Sequence, residues 1–235
     1  MPFSLIPAAL HEFYAPLGSD AAALSGLALA LVNASSQGRP VLWIRHEAQD
    51  REAGRLYAEG ITELGFDAAR FLLVKARDAP SALQAGLEGA RCGALGAVII
   101  KFRGEARASD LVASRRLAQA AQAVGVLELV ARVAAIPVPS AAQTRWQVRA
   151  LPSPPLAANA PGNPAFEMTL LRARNGQEGL RYCVEWNRDA RRLVSRFLPG
   201  IDDALIQPAP LSGAVVPVSF DRSGAAPDGL RKQAG

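Results

Sequence analysis

Gly18-Ser19-Asp20-Ala21-Ala22-Ala23-Leu24-Ser25 lies between an apolar run, Leu10-His11-Glu12-Phe13-Tyr14-Ala15, and a helical run, Leu24 to Val32. Strand, loop and helix in that order are the setting of a phosphate-binding loop, whose pattern is G-x-x-x-x-G-K-[ST]. Gly18 and Ser25 are in register with that pattern, but Ala23 replaces the second glycine and Leu24 the lysine. The lysine would bring positive charge to the phosphates, and the glycine would let backbone N–H groups turn inward to cradle them. Leucine offers neither charge nor hydrogen bond, and Asp20 adds a negative charge where phosphates would lie. The stretch reads as nucleotide-binding architecture that has lost its hydrolytic function, and no cofactor is expected.

Outward from that loop, helices alternate with short apolar runs as far as Val133. A helix is expected from about Ala21 to Ser36, then a strand at Val41-Leu42-Trp43-Ile44 and a helix from Asp50 to Leu64. Phe71-Leu72-Leu73-Val74, Ala97-Val98-Ile99-Ile100 and Val126 to Val133 read as further strands, with helices at Ser81 to Ala90 and Ser109 to Val124. Unalternating apolar runs separated by helices indicate a parallel sheet covered on both faces. After Val133 the pattern alternates instead, in Thr144 to Arg149, Phe166 to Leu170 and Leu180 to Trp186, with a hairpin connection at Arg174 to Gly179. The expected fold class is α/β: a mostly parallel sheet flanked by helices, with an antiparallel C-terminal extension. Residues 1–198 would form one domain, and 199–235, rich in Pro, Gly and Ala, a disordered tail.

Half of the residues are hydrophobic, enough for a single core, and the net charge is +5. Of the basic residues only Lys75, Lys101 and Lys232 are lysines, a bias that GC-rich coding accounts for. The charge permits a nucleic-acid or acidic-protein partner without demanding one. Cys92 and Cys183 fit no metal spacing and read as buried free thiols in a reducing compartment. With no leader pattern and no apolar run near the ~20 residues of a membrane span, the expectation is a cytoplasmic protein that makes no membrane contact.

The same order of elements resembles the RecA-type recombinases. Leu10 to Ala15 leading into Gly18 resembles the strand before their phosphate loop. Gly38 to Glu47, GRPVLWIRHE, resembles their second strand, which ends in a water-activating glutamate; Glu47 stands there. Gly96 to Lys101 resembles the strand that carries their magnesium-binding aspartate, and Lys101 stands at that position. Within that superfamily the chain resembles the ImuA family, RecA-like accessory proteins of a bacterial damage-tolerance cassette. The residues that carry the likeness are Leu10-His11-Glu12, Gly54 to Ala58 with Gly60 and Leu64-Gly65, Ser114 to Ala121, Thr144 to Val148 and the Leu171 to Trp186 hairpin. The resemblance implies a non-enzymatic assembly factor in SOS-induced translesion synthesis. Its implied partner is ImuB, an inactive relative of the Y-family polymerases, and through it an error-prone replicative-type DNA polymerase. Contacts with RecA and self-association through RecA-like surfaces are also implied. The alternatives are a degenerate nucleotide- or DNA-binding ATPase-like protein, and a cell-division inhibitor of the SulA type, against which the antiparallel hairpin argues.

The degenerate nucleotide site thus comprises Gly18, Leu24, Ser25, Glu47 and Lys101. Metal-assisted hydrolysis needs a ligand for the cation, and Lys101 would repel it; no catalytic or metal-ligating residue is expected. His11 and His46 read as structural, and Trp43, Trp146 and Trp186 as core. Two basic groups remain as candidate contacts. Arg115 and Arg116 lie on a helix whose apolar side runs through Leu111, Ala118, Ala121 and Val124. Arg188, Arg191, Arg192 and Arg196 form the densest cluster; on a helix, Arg188, Arg192 and Arg196 would be one turn apart. Either that is a solvated face or it meets DNA phosphates or an acidic partner, and any DNA binding is expected to be weak at physiological salt.

Overall fold

The computed structural model describes residues 5–46, 56–104 and 111–196. Among these residues nine strands form one sheet: β1 (Leu10–Ala15), β2 (Val41–His46), β3 (Phe71–Ala76), β4 (Ala97–Arg103), β5 (Leu127–Val133), β6 (Thr144–Leu151), β7 (Ala165–Ala173), β8 (Arg181–Asn187) and β9 (Arg192–Ser195). Their spatial order is β3-β2-β4-β5-β1-β6-β7-β8-β9. Among the described residues four helices, α1 (Ala21–Ser35), α2 (Ala58–Glu63), α3 (Ala79–Ala90) and α4 (Leu111–Val124), lie on the connections between the first five strands.

The expected mostly parallel sheet with antiparallel C-terminal strands is what forms. β3, β2, β4, β5, β1 and β6 run parallel, and β6 to β9 alternate in direction. The boundary falls one strand later than the alternating pattern suggested, because β6 pairs parallel with β1 (Phe13↔Trp146) and antiparallel with β7. The hairpin at Arg174 to Gly179 is present, closed by the Ala173 N–H donating to the Gln177 carbonyl at 2.8 Å.

Two cores flank the sheet. On one face α1 packs on β1, β4, β5, β6 and β7 through Leu24, Leu27, Leu31, Phe13, Ile99, Leu129, Trp146, Val148 and Phe166. α1 is apolar nearly all round because its outer side also meets protein, the condition under which such a helix is stable. Trp43, Trp146 and Trp186 are all buried, as expected of core residues. On the other face α3 and α4 cover Leu10, Ile44, Val98, Ile100, Phe102 and Val130. α3 starts two residues before the expected Ser81: the Asp78 carboxylate accepts the Ser81 N–H at 2.7 Å, and Pro80 occupies the first turn where no N–H is needed.

Several expectations are corrected. Burial on both faces fails at β3, the edge strand, where Leu72 and Leu73 are each about half exposed. The buried stripe of α4 is Ser114, Leu117 and Ala121, while Leu111 and Val124 face solvent. Cys92 is exposed and Cys183 half-buried; both are free thiols, but neither is a core residue. Glu47, the first turns of the helix expected from Asp50, the start of that expected from Ser109, and the tail beyond Leu198 lie outside the described residues.

Candidate functional site

The degenerate loop sits at the C-terminal ends of β1 and β4, where a parallel sheet opens toward ligand. Residues Gly18–Asp20 form one tight 3-10 turn, and α1 begins at Ala21, before the Ala23-Leu24 pair. The Asp20 N–H donates to the Leu17 carbonyl at 3.2 Å and the Ala21 N–H to that of Gly18. These two amides are therefore bonded within the turn. The Asp20 side chain does not lie where phosphates would: it is buried and accepts the Ala150 N–H of β6 at 3.0 Å. Leu24 is 1 % exposed and belongs to the core under α1.

Ser25 and Lys101 are brought together. The Lys101 ammonium, on β4, donates to Ser25 Oγ at 2.8 Å, and that hydroxyl donates to the Ala21 carbonyl at 2.9 Å. In a working site the same hydroxyl and the β4 carboxylate hold magnesium between them. Here the ammonium itself contacts the hydroxyl, so a fixed positive charge stands in the neighbourhood that a metal would need. Arg103, two residues further along β4, was not singled out from sequence. Its guanidinium lies against Gly18, where an added Cβ would come within 3.3 Å of Nη2. The corner therefore combines two cations with a hydroxyl. Among the described residues no group of three or more His, Cys, Asp or Glu is placed to hold a metal ion.

A second polar centre lies beneath α3 and α4, and its signal in sequence was charge inside unalternating strand runs. Glu12 on β1 is 1 % exposed and accepts the Tyr14 hydroxyl at 3.0 Å and the Ser140 hydroxyl at 2.8 Å. Arg145 Nε is 3.6 Å and Arg132 Nη2 3.9 Å from its oxygens. The Arg132 guanidinium also stands over the Tyr14 and Phe102 rings, 5.9 and 5.8 Å from their centroids, where the ring faces attract a cation. Burial, reinforced by the Glu12 charge, pushes the Tyr14 phenol up to about 12. On β5, Glu128 is fully buried with no hydrogen-bond partner for either oxygen, and burial raises its pKa well above the usual carboxylate value.

His11 and His46 stay apart, with β4 and β5 between their strands in the sheet. The His11 Nε2–H donates to the Ile6 carbonyl at 2.9 Å, so Nδ1 accepts the Thr144 hydroxyl at 2.7 Å. Thr144 Oγ1 in turn accepts the Trp146 indole N–H at 2.7 Å. Burial lowers the His11 pKa to about 4, the value of a satisfied, neutral structural histidine.

The basic candidates divide. Arg115 and Arg116 are exposed on α4. The Arg188 to Arg196 cluster is not helical. Residues 188–191 turn between β8 and β9, Arg192 starts β9 and Arg196 follows it. The Asn187 side chain accepts the Ala190 N–H at 2.7 Å and so sets the turn. Arg191 packs on Gly65, and Arg196 bonds the Pro152 carbonyl with Glu185 4.0 Å away. The one-turn spacing on a single helix face therefore does not exist.

No family model matches the chain. Among solved structures, the crystal structure of the RadB recombinase superimposes with a TM-score of 0.51 at 17 % identity, covering 80 % of this chain and 90 % of that one. The class is thus defined by fold: a RecA-like sheet with antiparallel strands added at its C-terminal side. SulA from Pseudomonas aeruginosa gives a TM-score of 0.42 at 24 % identity, covering 54 % of this chain and 99 % of that one.

In sequence, the chain is similar to Protein ImuA of Caulobacter vibrioides, in strains NA1000 / CB15N and ATCC 19089 / CIP 103742 / CB 15. The identity is 31 % over 154 residues, 61 % of this chain and 59 % of the relative in each case. The resemblance to the ImuA family read from the residues is borne out by that alignment. The chain spans about three fifths of the length of the curated relatives it matches. Among the described residues no helix is long and apolar enough to cross a membrane.

Proposed function

We propose that the chain is a non-catalytic RecA-like accessory factor of DNA-damage tolerance. In this reading it recruits or organises an error-prone polymerase through an ImuB-type inactive Y-family polymerase during SOS-induced translesion synthesis, and modulates RecA. The observation that carries the reading is the Lys101–Ser25 hydrogen bond: a tethered cation contacts the hydroxyl that a magnesium ion would require. The buried Leu24 and the self-bonded turn at Gly18–Asp20 support it further. The similarity to Protein ImuA supplies the damage-tolerance context. A half-exposed apolar edge at Leu72 and Leu73 is the kind of surface an assembly protein uses.

The test has two arms on the full chain. Phosphate release from ATP with magnesium should stay at background for the natural protein and for Leu24→Lys, since Lys101 still opposes the metal. Co-expression with an ImuB-type polymerase should yield a complex that persists as salt is raised. Saturable hydrolysis abolished by Glu47→Gln would overturn the non-catalytic reading, and tight DNA binding with no complex would overturn the assembly role.

A further inference from the structure

At the N-terminal ends of β1 and β6, opposite the degenerate loop, lies a small pocket of about 120 Å³. Its walls are apolar, from Ala8, Ala9, Leu10 and Ala118, and its polar groups are Gln122, Gln143 and Arg174, with no carboxylate among the lining residues. Three contacts hold Arg174 over it. Its N–H donates to the Gln143 carbonyl at 3.0 Å, the Gln143 N–H donates to that of Leu10 at 2.8 Å, and Arg174 Nη2 donates to that of Ala141 at 2.8 Å. One guanidinium nitrogen is thus anchored, which orients the fork at little further entropic cost, on an exposed side chain that lines the pocket.

The wall itself is held in an unusual conformation. Ala8 has φ 56°, a left-handed value disfavoured for a residue with a Cβ. The buried His11 ring fixes the neighbouring Ile6 carbonyl, while the Ile6 side chain stands 51 % exposed at the rim. A cation, two amides, small apolar walls and an exposed isoleucine therefore meet at one place.

We propose that this pocket receives the carboxylate side chain of a short acidic segment of a partner protein, with an apolar neighbour of that residue resting on Ile6. Charge complementarity decides the occupant: the guanidinium fork matches a carboxylate in two parallel bonds. No aromatic side chain lines the pocket to stack a nucleobase, and one arginine among alanines is a poor match for a phosphate backbone, which binds through several cations at once. The proposal does not depend on how the degenerate nucleotide site is read, because the two lie at opposite ends of the strands.

The experiment is a titration of the full chain, labelled with ¹⁵N, with acetyl-Leu-Glu-Leu-amide and its Gln counterpart up to about 20 mM, within the weak range a short peptide reaches. The Glu peptide should shift the Arg174 side-chain N–H and the Ala9 and Gln143 amides saturably. Affinity should fall about tenfold for the Gln peptide and for Arg174→Gln, the loss expected of one charge-assisted pair. Ala118→Met, which fills the pocket from α4, should also abolish the shifts, and an otherwise unchanged spectrum establishes that each variant is folded. Equal shifts from both peptides, no saturable shift, or stronger shifts of the same resonances by a thymidine decanucleotide would each overturn the proposal. An ImuB-type complex that fails to form would leave this result untouched.

Discussion

Glu12 and Glu128 lie on neighbouring strands and on the same face of the sheet, yet their surroundings are opposite. The Glu12 region, toward the C-terminal ends of the strands, gives the carboxylate two hydroxyls and two guanidinium groups. The Glu128 region, one pleat away beside Leu10 and Val98, gives it nothing but apolar contact. Burial is nearly complete for both, so burial alone does not decide how a charge is tolerated. Partners do: a charge with several hydrogen bonds can remain inside, and one without them is driven to its neutral form. The contrast assigns opposite signs to mutations at two chemically identical residues.

The largest expected effect is at Glu12. Glu12→Leu leaves Arg132 and Arg145 without their shared carboxylate and should cost about 3–5 kcal/mol in urea unfolding, the usual result of breaking a buried pair from one side. A loss below about 1 kcal/mol would mean that the arginines do not depend on Glu12.

His11 extends the comparison to the opposite face. Its folded pKa is about 4 against about 6.5 for an unperturbed histidine, so the unfolded chain takes up a proton that the folded one refuses. Stability should therefore fall as pH drops from 6.5 toward 4, by up to about 3 kcal/mol, and His11→Gln should flatten that limb. Unfolding midpoints measured from pH 7 to pH 4 would decide this; a slope unchanged by the variant would assign the acid limb elsewhere.

Glu128 should behave in the opposite sense. Its pKa is raised on folding, so the folded chain retains a proton that the unfolded chain loses once pH exceeds about 4.5, and stability falls as pH rises. Glu128→Met removes that penalty while keeping the volume. It should stabilise the protein by about 1–3 kcal/mol at pH 8 and by less at pH 5. A destabilised variant would show that Glu128 has a partner in solution.

The smallest effect concerns the degenerate site. Lys101→Met removes the ammonium that bonds Ser25 and should cost about 1 kcal/mol in the same assay, the net worth of one hydrogen bond. A much larger loss would make that contact a principal support of the β4 end.

Most of the sheet was legible because continuous apolar runs and helical spacing are properties of single segments. Pairing is not. Thr144 to Arg149 alternates whether its neighbour runs parallel or antiparallel, so the parallel β1–β6 contact left no local mark. The Arg188 to Arg196 cluster misled because arginines four apart suggest a helix face. Asn187 before Arg188-Asp189-Ala190, a side chain able to accept an N–H within the turn, and the run Arg192-Leu193-Val194-Ser195 were the better signals. At the degenerate loop the substitutions were readable, but the Lys101–Ser25 contact joins residues far apart in sequence. Glu12 and Glu128 were visible as charges within strand runs; which would find partners depended on Arg132 and Arg145 arriving from β5 and β6 and Ser140 from the loop between them.

Lys101 has one more consequence, in mass action. A bound ion or nucleotide stabilises its host in proportion to the logarithm of its concentration, and a chelator or depletion withdraws that support. An ammonium on β4 is covalently part of the chain, and its effective concentration beside Ser25 is set once, by folding. The contribution of this contact to stability should stay constant while magnesium and nucleotide levels vary, as they do in a stressed cell.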